Sequence, residues 1–115
     1  MVVVTNLTRQ ILLADRAEVA RGPMRRMVGL LSRERLEPGE ALVIPRCSAV
    51  HTCFMRFAID VVFLKGSVVL RAVERLAPFR FAWAAGADTV IELPAGTITR
   101  TATQKGAALG WNGAC

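Results

Sequence analysis

The apolar run Val61–Leu64, together with the turn and return strand after it, constrains the fold more than any other stretch of this chain. Four consecutive apolar residues (VVFL) lead into Lys65–Gly66–Ser67 and then into Val68–Glu74 (VVLRAVE). A short apolar run, a tight polar turn and a β-branched return form a β-hairpin in sequence. Because Val61–Leu64 has no polar alternation, its strand is expected to be covered on both faces. Similar short segments recur. Val2–Thr5 and Gln10–Ala14 read as strands, with Arg9 in the turn between them and Arg16–Ala20 extending the second. Ala41–Ile44 is a strand that follows the turn Glu37–Glu40 and ends at Pro45. Thr89–Leu93 is a strand broken by Pro94–Ala95–Gly96, and Lys105–Gly106 turns into a closing strand, Ala107–Trp111.

Helical periodicity is clearest after Gly22–Pro23, since proline suits the first position of a helix. There Met24, Met27, Val28 and Leu31 recur at i, i+3, i+4 and i+7 and define one face. Gly29 within it calls for a close backbone approach. Thr97–Gln104 is rich in threonine, and a short second helix is the expectation there. Pro78–Asp88, carrying Phe79, Phe81 and Trp83, shows no period and reads as a loop. These elements predict one α+β domain over residues 1–115: a mainly antiparallel, curved, partly closed, barrel-like sheet with one main helix and a short second one. With 115 residues and 53% hydrophobic content the chain can bury a core unaided. No apolar run approaches the ~18–20 residues of a membrane span, and no leader pattern opens the chain. Three cysteines, an odd number, point to free thiols and a cytoplasmic setting.

Chemistry-bearing residues gather in Pro45–Leu64, PRCSAVHTCFMRFAIDVVFL. This stretch holds the only histidine, His51, together with Cys47, Cys53, Asp60 and three of the five phenylalanines. If the segment is extended, His51, Cys53, Met55 and Phe57 share one face, and Thr52, Phe54 and Arg56 the other. Cys47, His51 and Asp60 are candidates for a hydrolase-like nucleophile, base and orienting carboxylate, because a thiol needs an imidazole to ionise at neutral pH. The plainer reading makes Cys47 a small buried hydrophobe, His51 a hydrogen-bonded core residue and Asp60 either a cap for a turn or an acceptor for backbone N–H groups. Cys47, His51 and Cys53 offer three soft donors, but their spacing matches no standard zinc site, so no metal or other cofactor is expected.

The segment resembles the signature of the domain of unknown function 192 family, which reads roughly Pro-Cys-x-Ser-Ile-His-Thr-Phe-Phe-Met-Arg-Phe-Pro-Ile-Asp-Val-Val-Phe-Leu. Arg25–Leu31 is similar to the family's Arg-x-Arg-Gly-Leu-Leu helix. Val90–Thr97 is similar to its Leu-Glu-Leu-Pro-Ala-Gly-Thr turn, and Lys105–Gly106 to its closing glycine turn. The resemblance implies a small α/β domain with a curved, barrel-like sheet and no particular reaction. The chain departs from the pattern at Arg46, in place of proline, at Cys53, in place of a large apolar residue, at Ala58, in place of proline, and at Ala107, in place of aspartate.

Arg26, His51, Met55, Asp60 and Glu92 all fall in the matched segments and form the candidate ligand-binding set. Glu92 between Ile91 and Leu93, and Asp60 between Ile59 and Val61, are costly to bury unless paired. The expectation is a small binding or accessory module with a pocket near His51, Asp60 and Glu92, taking a small anionic or polar ligand. An enzyme using Cys47, His51 and Asp60 is one alternative. Weak nucleic-acid binding is another, since the net charge is +6 and thirteen of the fifteen basic residues are arginine. Nucleic acid is not the expected partner, because the arginines form no run and aromatic residues are few.

Overall fold

The computed structural model describes residues 1–20, 36–53 and 55–113. The helix predicted over Met24–Leu31, with Arg26 and Gly29, lies outside them. The described residues form nine strands and one short helix: β1 (Val2–Asn6), β2 (Ile11–Val19), β3 (Glu40–Pro45), β4 (Ala49–His51), β5 (Ile59–Lys65), β6 (Val68–Leu76), β7 (Phe81–Trp83), β8 (Thr89–Pro94), α1 (Thr97–Thr101) and β9 (Leu109–Gly113). None of them is a helix long and apolar enough to cross a membrane.

Seven strands make one sheet in the order β6-β5-β8-β3-β2-β1-β9, and β4 pairs with β7 in a separate two-stranded ribbon. The large sheet is mixed. The pairs β5–β6, β5–β8, β3–β8, β1–β2 and β1–β9 are antiparallel, whereas β2 runs parallel to β3, with Arg16 opposite Glu40 and Val19 opposite Val43. A sheet joined only by tight turns would be purely antiparallel. The long connection from Val19 to Glu40 exceeds the dozen or so residues that a parallel crossover needs. At the ends of the order, Val68 of β6 bridges Ala108, the Leu109 amide donates to the Ser67 carbonyl and the Val69 amide to the Ala107 carbonyl. These contacts tie the two outermost strands together at one corner and curl the sheet into a half-barrel.

The curl divides the interior in two. The first core takes Val4, Leu13, Val43, Val62, Ile91, Leu93 and Leu109 from strands along the whole order, with Ile98 of α1, and so fills the inside of the curl. The second core lies on the other face of the central strands. There Leu42, Ile44, Val61, Phe63 and Val90 meet Val50 and Ala82 of the ribbon, along with Ala20, Leu36 and Met55. β5 lies between the two, sending Val62 and Leu64 to the first and Ile59, Val61 and Phe63 to the second. Its unbroken apolar run is a consequence of this double coverage.

Two predicted segments differ from the structure. The extended face over 51–57 stops at His51, because the Met55 amide donates to the Thr52 carbonyl and the chain turns at Cys53. Within the predicted loop Pro78–Asp88, Phe81–Trp83 is a strand, with Val50 opposite Ala82 and His51 opposite Phe81.

Candidate functional site

The two acidic candidates lie on neighbouring strands. Along the β5–β8 ladder Asp60 is opposite Leu93, and Val61 is opposite Glu92. Residues facing each other across a ladder share a face, and consecutive residues alternate. Asp60 therefore shares the inner face with Leu93, while Glu92 shares the outer face with Val61 and, across β3, with Leu42. Both are buried, at 0% and 2% exposure. They do not meet in one recess.

Asp60 is fully engaged by the backbone. One carboxylate oxygen, Oδ1, accepts the Arg75 amide at 2.9 Å, and Oδ2 accepts the Gly96 amide at 3.1 Å and the Ile98 amide at 2.8 Å. Three amide donors satisfy a charge that would otherwise be prohibitive on an apolar strand. The carboxylate thus joins β6 to the start of α1, where Gly96 takes φ 98°. Of the readings of Asp60, the structure has the acceptor for backbone N–H groups.

His51 lies elsewhere. Val50 and Ala82 turn into the second core, so Ala49, His51, Phe81 and Trp83 occupy the opposite, outward face of the ribbon. His51 is half-buried there, and its Nδ1 accepts the Cys53 amide at 3.3 Å. With Nδ1 accepting, the neutral ring carries its proton on Nε2. Met55 is buried behind the ribbon, in the second core. The Cys47 thiol donates to the Ala49 carbonyl at 3.1 Å, and Cys47 and Cys53 are both half-buried and outside any disulfide. Cys47, His51 and Asp60 thus do not assemble into a relay, as the carboxylate that would orient the imidazole is bound to three amides across the sheet. Among the described residues, no group of three or more His, Cys, Asp or Glu side chains could hold a metal ion.

Thr52, Phe81, Trp83 and Arg71 belong to this region and were not candidates in the sequence. Thr52 is fully buried; its hydroxyl donates to the Ala77 carbonyl at 2.6 Å and accepts the Arg80 amide at 2.8 Å. Its own amide donates to the Arg80 carbonyl, and its carbonyl accepts the Phe79 amide. This double exchange positions β7 against β4. Phe81 and Trp83 are 61% and 58% exposed, with ring centroids 5.8 Å apart and planes tilted by 46°. Arg71 reaches from β6 to donate through Nη1 to the Trp83 carbonyl at 2.6 Å. The alternation Phe81-Ala82-Trp83 is the only sequence signal for this face, and three residues are too few to show a period.

The model of the domain of unknown function 192 family, described as an uncharacterised ACR, matches residues 3–111. The chain belongs to this family. No curated protein matches its sequence. Two solved structures share the fold. One is a protein of unknown function from Novosphingobium aromaticivorans, with TM-score 0.79 and 22% identity over 96% of this chain and 83% of that one. The other, from Sinorhizobium meliloti, is described as a putative transcription regulator, with TM-score 0.79 and 20% identity over 96% of this chain and 91% of that one. At these identities the likeness of this family member to both is one of fold.

Proposed function

We propose that the protein is a binding module whose recognition surface is the outward face of the β4–β7 ribbon, centred on His51 and taking a small anionic or polar ligand. One observation carries this reading. The Cys53 amide occupies His51 Nδ1, which leaves a proton-bearing Nε2 on a half-buried ring that shares a face with two exposed aromatic rings. A directional donor beside apolar surface is what a small polar ligand with a planar part requires. Of the other candidates, Met55 and Glu92 are buried behind the ribbon, away from its outward face, and Asp60 acts through the fold. Arg26 remains part of the candidate set by sequence.

The test is an NMR titration that follows the His51 imidazole and the Trp83 indole while inorganic phosphate, adenosine monophosphate and acetate are added in turn. Saturable, joint shifts of both rings with at least one probe, abolished in His51→Ala, are expected. Unchanged spectra with all three would overturn the reading.

A further inference from the structure

The surface around the ribbon is both aromatic and basic, and the geometry points to single-stranded nucleic acid as what it binds. This inference rests on the site reading above and assigns its ligand class. Phe81 and Trp83 alternate on one strand, so their rings emerge about 7 Å apart along the backbone on the same face. Each keeps more than half of its surface open to solvent although the rings touch. Phe79, two residues before Phe81, is also 60% exposed. Exposed aromatic rings on a strand are the platform on which successive unpaired bases stack, whatever their sequence.

Basic side chains outnumber acidic ones around this platform. Arg80 directly precedes β7, Arg46 and Arg56 flank β4, and Arg71 touches the Trp83 carbonyl. All four are exposed, and none has a carboxylate of a described residue within 4.0 Å; among the described residues the ion pair formed is Arg16 with Asp15. Three carboxylates of the described residues accept hydrogen bonds of their own. Asp88 accepts the Gly66 amide and the Thr89 hydroxyl, Glu74 accepts the Thr99 hydroxyl, and Asp60 is inside the sheet. Arg71 and Arg80 each spend one guanidinium nitrogen on a backbone carbonyl, of Trp83 and Phe79, and the donors that remain suit phosphate oxygens; the net charge of +6 favours the approach of a polyanion. The sequence scatters these arginines over 35 residues; Arg46, Arg56 and Arg80 lie within a few residues of the ribbon's strands along the chain, and Arg71 reaches it from β6 through its bond to the Trp83 carbonyl. An acidic protein surface would use the same charges but would leave the open ring faces without planar partners.

The test is fluorescence anisotropy with labelled 12-nucleotide DNA and RNA single strands, the matching duplex and an abasic strand of equal length, from low to physiological salt. Single strands should bind more tightly than the duplex or the abasic strand, with affinity falling as salt rises. The double variant Phe81→Ala/Trp83→Ala should lose at least about tenfold in affinity, as expected for removing two stacking rings, while its thermal unfolding stays that of the parent. Arg46→Ala/Arg80→Ala should weaken binding and flatten the salt dependence. Equal binding of the abasic strand, or full affinity in the aromatic double variant, would overturn the assignment. So would sedimentation showing that the aromatic face instead holds two copies of this chain together. If adenosine monophosphate shifts His51 while oligonucleotides bind no better than the mononucleotide, the ligand class fails and the site stands. If neither the oligonucleotides nor any of the three small probes binds, both fail.

Discussion

Asp60 and Glu92 lie one step out of register on adjacent strands, and that single step puts them on opposite faces of the sheet. Two polar residues that look equivalent in sequence, each between apolar neighbours, consequently have unrelated environments. Asp60 faces the interior of the curl, where three amides from β6 and the start of α1 converge on it. Glu92 faces the second core, beside Leu42 and Val61. The difference makes the first prediction one of stability and not of activity. Asp60→Asn keeps the shape but removes the charge and sets an amide NH2 against donors that need an acceptor. It should cost about 3 kcal/mol, as a charge-assisted buried hydrogen-bond set is lost. Urea unfolding would measure this, and a change below about 0.5 kcal/mol, the size of an ordinary surface substitution, would refute the capping role.

Gly96 separates the backbone contribution at that junction from the carboxylate's. Its φ of 98° lies in the left-handed region, while a Cβ added there would meet nothing nearer than Arg75 Nη2 at 3.8 Å. Gly96→Ala therefore fits sterically, keeps the amide that Asp60 accepts and suffers only backbone strain, about 1–2 kcal/mol. In parallel unfolding curves it should be milder than Asp60→Asn. The reverse order would mean that the turn, and not the carboxylate, holds α1 in place.

Thr52 is the corresponding test for the ribbon. Thr52→Val preserves volume and β-branching but leaves the Arg80 amide and the Ala77 carbonyl without the hydroxyl between them. A loss of about 2 kcal/mol is expected, with faster amide exchange concentrated at β4 and β7. Thr52→Ser should restore most of it. Uniform loosening of all nine strands would show that Thr52 serves the whole fold and not the ribbon.

Much of the architecture could be read from the sequence, because Val2–Thr5, Ala41–Ile44, Val61–Leu64, Val68–Glu74 and Thr89–Leu93 are β-branched runs bounded by turn residues, and each is a strand. The parallel β2–β3 pair was hidden, since pairing direction depends on where a long connection returns and not on the composition of either strand. The site was less legible for two physical reasons. Which face Asp60 and Glu92 occupy is set by register between strands 32 residues apart, and no local pattern carries that information. The ribbon exists because one hydroxyl and one amide of Thr52 capture Arg80, a contact across 28 residues that turns an apparently shapeless aromatic loop into a strand.

The last prediction concerns pH and the β5–β6 hairpin. Asp88 accepts the Gly66 amide at 3.0 Å from the tip of that hairpin, and its other oxygen accepts the Thr89 hydroxyl at 3.0 Å. The Gly66 amide chiefly, then the Thr89 hydroxyl and the Lys65 charge, hold its carboxyl below the usual 3.8. A carboxyl that ionises more readily in the folded state stabilises that state above its unfolded value. The contribution declines as pH falls below 3.8 and is gone once the folded carboxyl is also protonated. Asp88→Asn should therefore melt below the parent at neutral pH, with a difference that shrinks as the pH is lowered from about 6 to about 2. The group is exposed, so the effect should be small and should weaken with added salt. Thermal melts of the two proteins across that range check it: a difference independent of pH would mean that the hairpin tip depends on the shape of the side chain and not on its charge.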